Sequence, residues 1–268
     1  MTDQAMHIHE SGEAALPAIL FLHGSPLSGR MWAPQMESLV DFHCLAPDLP
    51  GHGMSAALGN MAVDDIVQSL AALIQERAAS GRAHVVGHSY GGVIAQALIS
   101  AFPDVVDRVV LSGTSAPLDP RMQYMMAWYI RINQVFMQLM KPATLARLLA
   151  WQYDIPEAYS STMMEEIAKV SPKTMARILL KTYTDIRTPT GTAHPVLVAV
   201  GEKETSFARI MAHRLVRMMP ASKGVVVPGM GHVWNLESPD LFTGVVRSWF
   251  LKGTLPQGLA LLKKADRD

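Results

Sequence analysis

A serine between two glycines lies where an apolar segment gives way to a helix-like segment. The stretch HVVGHSYGGVIAQAL runs from His84 to Leu98, and Ser89 is the centre of its Gly-His-Ser-Tyr-Gly turn. Glycine has no Cβ, so a strand and a helix can approach closely here, and Ser89 can take an unusual backbone conformation. Its hydroxyl then projects above the carboxyl edge of a sheet, and the N–H of Tyr90 points the same way. The pattern predicts a nucleophilic serine, with the Tyr90 amide as an oxyanion donor.

A serine hydroxyl needs a general base to remove its proton, and three histidines follow Ser89 in the chain. His194 precedes a predicted strand, so it belongs to the opposite edge of a parallel sheet. His213 lies within a predicted helix. His232 follows the apolar segment GVVV, in a loop at the same edge as Ser89. The sequence therefore favours His232 as the base.

The histidine in turn needs an acid that orients it, and the loop after VLVAVG supplies two glutamates. Glu204, four residues past the predicted end of the strand, lies on a loop that can reach His232, and Glu202 is the alternative. A second oxyanion donor is expected in the loop after AILFLHG. The backbone N–H of Ser25 is the candidate there, because Pro26 has none.

Short apolar segments alternate with helical segments through most of the chain, and this alternation positions the candidate residues. Segments such as AILFLHG and HVVGHS predict strands, and amphipathic segments such as VDDIVQSLAALIQERAA predict helices. The alternation predicts an α/β fold with a mainly parallel central sheet and helices on both faces. The tail segment LPQGLALLKK is expected to form a short surface helix.

The alternation stops after residue 116, where helical segments rich in Met, Trp and Tyr replace the strands. A strand–helix–strand crossover needs only about 30 residues. We therefore interpret residues 117–190 as a helical cap inserted in a core made of residues 1–116 and 191–268. Methionine-rich surfaces adapt to apolar ligands, so we expect a pocket for apolar groups, although each cap residue could instead pack the cap helices. The candidate substrate contacts are His23, Gly24, His88, Met125, Trp128, Tyr129 and Trp234.

The composition limits the partners and the compartment that we expect. Lys and Arg number 23, as do Asp and Glu, among 268 residues, which gives no electrostatic reason to expect nucleic acid or an anionic membrane as a partner. The single cysteine, Cys44, excludes an internal disulfide. The first residues do not resemble a signal peptide, and no apolar run of about 18 residues occurs. We expect a cytoplasmic protein without a membrane span, and a homodimer is left open.

Five motifs together resemble the α/β-hydrolase superfamily. FLHGSP, APDLPGHGMS, VVGHSYGG, LVAVGEKE and GMGHVWNLESPD occur in the family's order and approximate spacing, over roughly residues 16 to 251. The chain is most similar to the serine esterase and C–C hydrolase-like group with a helical cap. The resemblance implies Ser89 as nucleophile, His232 as base and Glu204 as acid, with the amides of Ser25 and Tyr90 as the oxyanion hole. Glu204 departs from the family pattern, which usually has aspartate there.

This resemblance implies a serine hydrolase that needs no metal and no organic cofactor. A serine nucleophile argues against dehalogenase and epoxide hydrolase chemistry, which those relatives carry out with aspartate. The ten histidines show no zinc-site spacing. We expect hydrolysis of carboxylic esters of small to medium apolar substrates through an acyl-enzyme. The alternatives are C–C bond cleavage on the same triad, with Arg121 or Arg131 holding an acidic substrate, and a slow-turnover ligand receptor.

Overall fold

Eight strands form one mainly parallel sheet in the computed structural model, which describes residues 5–59 and 61–262. The strands are β1 (Ile8–Ser11), β2 (Ala18–Leu22), β3 (His43–Pro47), β4 (Ala83–His88), β5 (Val106–Ser112), β6 (Val196–Gly201), β7 (Ser222–Val227) and β8 (Ala260–Leu261). Their order across the sheet is β1-β3-β2-β4-β5-β6-β7-β8. The edge strands β1 and β8 are antiparallel to their neighbours, and the strands between them are parallel. The predicted α/β fold is therefore confirmed.

Helices cover both faces of the sheet, which is why its central strands are apolar on both sides. The helices are α1 (Ala33–Ser38), α2 (Val63–Arg77), α3 (Tyr90–Ala101), α4 (Pro120–Gln138), α5 (Pro142–Gln152), α6 (Glu157–Lys169), α7 (Pro172–Thr184), α8 (Ser206–Met218), α9 (Trp234–Glu237) and α10 (Pro239–Lys252). Successive residues of β2 point to opposite faces, so Leu20 packs in one core and Phe21 in the other. Helices α2, α3 and α8 complete the first core, and α1 and α10 complete the second.

Four consecutive helices, α4 to α7, lie between β5 and β6, where the sequence predicted helices in place of strands. Proline is the first residue of α4, α5 and α7, a position where its missing N–H breaks no helical hydrogen bond. Asp119 accepts hydrogen bonds from two backbone N–H groups at the start of α4, and Ser171 accepts one at the start of α7. α4 packs on α7, and α5 packs on α6. We call α4 to α7 the cap helices, and residues 117–190 remain our proposed cap.

The tail differs from the surface helix that we expected. Residues Ala260–Leu261 form β8, which pairs with β7, and the N–H of Leu262 donates to the carbonyl of Gly224 at 2.8 Å. The open edge of β7 offers backbone partners, whereas a short isolated helix is only marginally stable. Lys263 and Lys264, at the end of the expected helix, lie outside the described residues. Within residues 5–59 and 61–262, no helix has the length and apolar character needed to cross a membrane.

Candidate active site

The turn between β4 and α3 holds Ser89 in a strained conformation. Its φ of 52° and ψ of −115° lie in a region that residues with side chains rarely adopt. Gly91 makes the close turn possible, because a Cβ there would lie 2.2 Å from the carbonyl oxygen of Leu22. The Ser89 N–H donates to the carbonyl of Ser112 at 2.9 Å, and the Thr114 hydroxyl donates to the carbonyl of Ser89 at 2.8 Å. Residues at the end of β5 therefore hold the turn in place.

His232 and Glu204 form a hydrogen-bonded pair at the carboxyl edge of the sheet. Nδ1 of His232 lies 2.7 Å from Oε2 of Glu204, and Oε1 of Glu204 accepts the N–H of Gly201 at 3.1 Å. The Glu204 side chain is 4% exposed and that of His232 is 25% exposed, so the acid is shielded while the imidazole stays accessible. The carboxylate favours the tautomer that is protonated on Nδ1, which leaves Nε2 free to accept a proton.

Glu202, the alternative acid, contacts the loop after β7 and does not contact His232. Its Oε2 accepts the N–H of Gly229 at 2.8 Å, and the residue is exposed. The structure therefore brings Glu204, and not Glu202, to the histidine.

Ser89, His232 and Glu204 line one cavity of about 640 Å³. The other walls come from the residues after β5, the end of α5, α7 and the start of α8. The side chains from these walls include Trp151, Gln152, Tyr153, Asp154, Leu179, Tyr183, Lys203, Phe207 and Met211. A cavity of this size accommodates a ligand of several tens of atoms with both apolar and polar contacts.

Two backbone amides that were predicted as oxyanion donors belong to segments next to Ser89. Tyr90 is the first residue of α3, and helix geometry leaves its N–H without an intrahelical acceptor. Ser25 belongs to the loop after β2, and this loop approaches the nucleophile closely. A Cβ added to the neighbouring Gly24 would lie 3.1 Å from the Cβ of Ser89 and 2.8 Å from the His88 ring.

Two buried histidines order the loop that carries Ser25. The Ser25 hydroxyl lies 3.0 Å from Nε2 of His52, whose Nδ1 lies 3.3 Å from the carbonyl of Leu49. Nδ1 of His23 lies 3.1 Å from the carbonyl oxygen of Gly24, and Nε2 of His23 accepts the N–H of Leu49 at 2.8 Å. Burial lowers the pKa of His23 to about 3 and that of His52 to about 4, so both rings are neutral at physiological pH. Since both nitrogens of His23 have partners in the protein and the residue is fully buried, our expectation of a substrate contact there is corrected.

His88 is buried beside the candidate base. Its ring centroid lies 4.6 Å from that of His232, and burial lowers the pKa of His88 well below its usual value. Neither His88 nor Gly24 is among the residues that line the cavity. Both residues therefore pack beneath Ser89 and His232, and they do not face the cavity as we expected.

Four other expected substrate contacts also lie elsewhere. Met125, Trp128 and Tyr129 are 69%, 49% and 64% exposed on α4, and none of them lines the cavity. Trp234 is fully buried in the second core, where its Nε1 donates to the Ser112 hydroxyl at 2.8 Å. An apolar sequence pattern identifies side chains that avoid water, but it does not say which surface they meet, and the four expectations are corrected accordingly.

Three residues that the sequence analysis did not single out lie against the candidate triad. Tyr153, just after α5, stacks on His232 with ring centroids 5.6 Å apart and an interplanar angle of 28°. Burial raises the pKa of Tyr153 to about 12, so its hydroxyl stays protonated. A Cβ on Gly113 would lie 2.9 Å from Nδ1 of His232, and Thr114 holds the turn of Ser89. The glycine directly after an apolar strand was a usable signal for Gly113, whereas nothing in the cap sequence distinguishes Tyr153.

Comparisons with known proteins agree with this architecture. A family model described as the alpha/beta hydrolase family matches residues 19–245. An AB hydrolase superfamily protein from Gibberella zeae is 29% identical over 255 residues, which covers 91% of this chain and 84% of that protein. A pimeloyl-[acyl-carrier protein] methyl ester esterase from Nitrosomonas europaea is 27% identical, with 89% of this chain and 96% of that protein covered. The structure of a thermophilic esterase from Thermogutta terrifontis has a TM-score of 0.75 at 24% identity, over 91% of this chain and 92% of that chain.

Proposed function

The chain belongs to the α/β hydrolase family, and we propose that it is an esterase that cleaves carboxylic esters of small to medium apolar compounds through an acyl-enzyme. The observation that carries this proposal is the shared cavity of Ser89, His232 and Glu204, in which the acid and the histidine are already 2.7 Å apart. A serine next to an oriented histidine is suited to acyl transfer. The esterases among the similar proteins support the same reaction class.

In the proposed first half-reaction, Nε2 of His232 removes the Ser89 proton while Oγ attacks the ester carbonyl carbon. The amides of Tyr90 and Ser25 stabilise the negative charge on the carbonyl oxygen, and the loss of one such donor typically raises a barrier by about 3 kcal/mol. Glu204 stabilises the imidazolium that forms. The imidazolium then gives its proton to the leaving alcohol, and the acyl group stays on Ser89.

In the proposed second half-reaction, water takes the place of the alcohol. His232 removes a proton from water as its oxygen attacks the acyl carbon, and the same two amides hold the second oxyanion. The tetrahedral intermediate collapses, the bond to Oγ breaks, and His232 returns the proton to Ser89. The carboxylic acid is released, one water is consumed, and all the proton transfers pass through His232.

The charges around the cavity support an uncharged ester in preference to an acidic C–C substrate. Arg121 and Arg131, the cations that such a substrate would need, are exposed on α4 and do not line the cavity. The cavity has one ammonium group, on Lys203, and two carboxylates, on Asp154 and Glu204. This balance attracts no dianion, whereas the apolar side chains of α7 and α8 favour an apolar acyl or alcohol group.

Hydrolysis of p-nitrophenyl esters from acetate to decanoate, by the wild type and by Ser89→Ala, tests the proposal. We expect steady-state turnover with a preferred chain length, and at least about a 10³-fold loss of kcat in the folded variant. A folded wild type that turns over none of these esters would refute the proposal, and ring-fission diketones would then test C–C cleavage. A receptor would instead give at most one acyl-enzyme per chain, seen by intact mass, with no sustained release of product.

A further inference from the structure

Three potential metal ligands meet at the β1 edge of the sheet, outside the lining of the cavity. His7 and His9 are two residues apart along an extended segment, so their side chains point to the same side. β3 runs alongside, and the N–H of Asp48, directly after β3, donates to the carbonyl of His7 at 2.8 Å. One ligand atom from each of the three side chains lies within 4.8 Å of the others, and His9 Nε2 is 3.1 Å from Asp48 Oδ1.

The carboxylate of this cluster is fixed in orientation. Oδ1 of Asp48 accepts the N–H of Gly29 at 2.8 Å, and Oδ2 accepts the N–H of Met54 at 2.7 Å. Backbone donors of this kind hold a carboxylate ligand in place in metal sites.

Although the spacing of the histidines predicted no metal site, we propose that His7, His9 and Asp48 bind a divalent transition metal of the zinc type. Two imidazoles and one carboxylate are ligands that Zn²⁺ accepts, and three protein ligands leave a fourth position for water. In tetrahedral coordination the ligand atoms lie about 3.4 Å apart. His9 and Asp48 are near this distance, and the exposed His7 side chain can rotate towards them. The metal would join the β1 segment to Asp48, whose carboxylate already accepts the N–H groups of Gly29 and Met54. Metal binding would therefore stabilise this part of the fold.

Calorimetric titration of the tag-free, chelator-treated protein with ZnCl₂ tests this site. We expect one Zn²⁺ per chain at His7, His9 and Asp48, at least tenfold weaker binding by His7→Ala, and a zinc-dependent rise in Tm that this variant loses. His213→Ala removes an exposed histidine on α8 and serves as the matched control, which should bind as the wild type does. Equal affinity of the wild type and His7→Ala, or no binding by either, would overturn the proposal.

An independent observation concerns α4, whose outward face is apolar. Of the fifteen large hydrophobic residues that are exposed within the described ranges, ten lie between residues 124 and 151. Eight of them recur at helical spacing within a sector of about 140° on α4 and its last turn. These eight are Tyr124, Met125, Trp128, Tyr129, Ile132, Val135, Phe136 and Leu139, which we call the α4 face. An amphipathic helix normally turns such a face inwards, so this one needs a partner.

The charged residues between Pro120 and Tyr153 are all positive, and the nearest acids in the chain are Asp119, which caps α4, and Asp154. Residues 120–153 contain four basic residues and no acidic residue. All four, Arg121, Arg131, Lys141 and Arg147, are exposed. The net charge of the whole chain is zero, but this segment carries four positive charges. Our expectation that there is no electrostatic reason for binding to an anionic membrane therefore does not hold for this segment.

We infer that the α4 face docks on an anionic lipid surface. Tryptophan and tyrosine side chains favour the boundary between headgroups and acyl chains, and a helix with an apolar face and flanking cations lies in that boundary. Each lysine or arginine near an anionic leaflet strengthens the binding to it. A symmetric dimer through the same face would bring two sets of four basic residues together, with Asp119 at the start of each α4 as the nearest acid, which opposes association. This inference does not depend on the proposed esterase activity.

Co-sedimentation with vesicles of phosphatidylcholine, alone or with 30% phosphatidylglycerol, tests the docking. We expect binding to the anionic vesicles only, weakened by 0.5 M NaCl. The double variant Trp128→Ser with Phe136→Ser should bind at least tenfold more weakly, and so should Arg131→Gln with Arg147→Gln. Val40→Ser is the matched control, because Val40 is 73% exposed outside the cap and should not affect binding.

Sedimentation velocity of the same variants distinguishes docking of the α4 face on a lipid surface from its dimerisation with a second copy of this chain. A monomeric wild type that binds anionic vesicles supports lipid docking. A dimer that Trp128→Ser with Phe136→Ser dissociates, together with no vesicle binding by the wild type, would overturn it in favour of a second copy of this chain. Equal binding of the wild type and the double serine variant to the anionic vesicles would also overturn it.

Discussion

Gly113 is the residue whose substitution tests the placement of the candidate base most directly. It directly follows β5 with a φ of +55°, and a Cβ there would lie 2.9 Å from both Cε1 and Nδ1 of His232. Favourable contacts between carbon atoms begin at about 3.5 Å, so the ring in Gly113→Ala must move by about 0.6 Å or more. The carboxylate of Glu204 lies on the same side, with Oε1 at 3.4 Å, an ordinary contact, so the ring has to move while its acid does not.

The expected effect of Gly113→Ala is mainly on kcat. A misplacement of about 1 Å in a reacting group costs about 100-fold in rate, so we expect kcat for the preferred p-nitrophenyl ester to fall about 10- to 100-fold with KM nearly unchanged. The left-handed backbone conformation adds a strain of about 1 kcal/mol, which lowers stability without a direct effect on chemistry.

The matched control for this strain is Gly81→Ala. Gly81 also has a positive φ, of +67°, but a Cβ there would meet no atom within 4 Å. We expect both variants to lose stability in thermal unfolding through the backbone strain, while only Gly113→Ala loses activity. A kcat for Gly113→Ala within threefold of the wild type would refute the argument that His232 acts from the position described.

Three further predictions concern single contacts. Glu204→Gln keeps the size of the side chain but not its charge, so kcat should fall by about 10³- to 10⁴-fold, whereas Glu202→Gln should stay within twofold; the reverse result in the ester assay would exchange their roles. Tyr153→Ala should lower kcat/KM about tenfold through loss of the ring stacked on the base, and Tyr153→Phe should retain it; equal losses would assign the effect to the hydroxyl. The hydrogen bonds from Arg247 lower the pKa of Asp41. The pair therefore stabilises the fold fully above the ordinary carboxyl pKa, and this stabilisation is lost as pH falls through the lowered pKa. Arg247→Ala should therefore cost up to about 1 kcal/mol at pH 7 and progressively less below about pH 4 in urea unfolding; a cost that does not depend on pH would contradict this.

The edge of the sheet at which each candidate lies could be worked out from the sequence. In a parallel sheet the loops after all the strands meet at one edge, so a histidine after a strand and a serine after a strand belong together, and His194, before a strand, does not. The same argument placed Glu204, because four residues are enough for its carboxylate to reach the neighbouring loop. These positions depend only on strand direction and loop length, which the apolar segments and glycines reveal.

The direction of apolar side chains could not be worked out in the same way. The periodicity of α4 defines an apolar face, but it is silent on whether that face points to the core, the cavity or the solvent. Trp234 shows the converse case, since a tryptophan next to the candidate base is held in the core by a hydrogen bond to Ser112 across the sheet. Tyr153 reaches His232 from the cap by a contact between segments 79 positions apart. Such contacts result from tertiary packing, which no local pattern encodes.

Several histidine rings lie near Ser89, and their burial explains why only one is suited to act as a base. Burial lowers the pKa of His23, His52 and His88, so these rings are neutral and occupied in structural contacts. Among these rings and that of His232, only the ring of His232 has a carboxylate at hydrogen-bond distance. The neutrality of His88 also matters for the transition state, because a positive charge at about 4 Å from the imidazolium would cost about 4 kcal/mol at an effective dielectric constant of 20. The buried rings can therefore support the loops around Ser89 without opposing the charge that the proposed reaction places on His232.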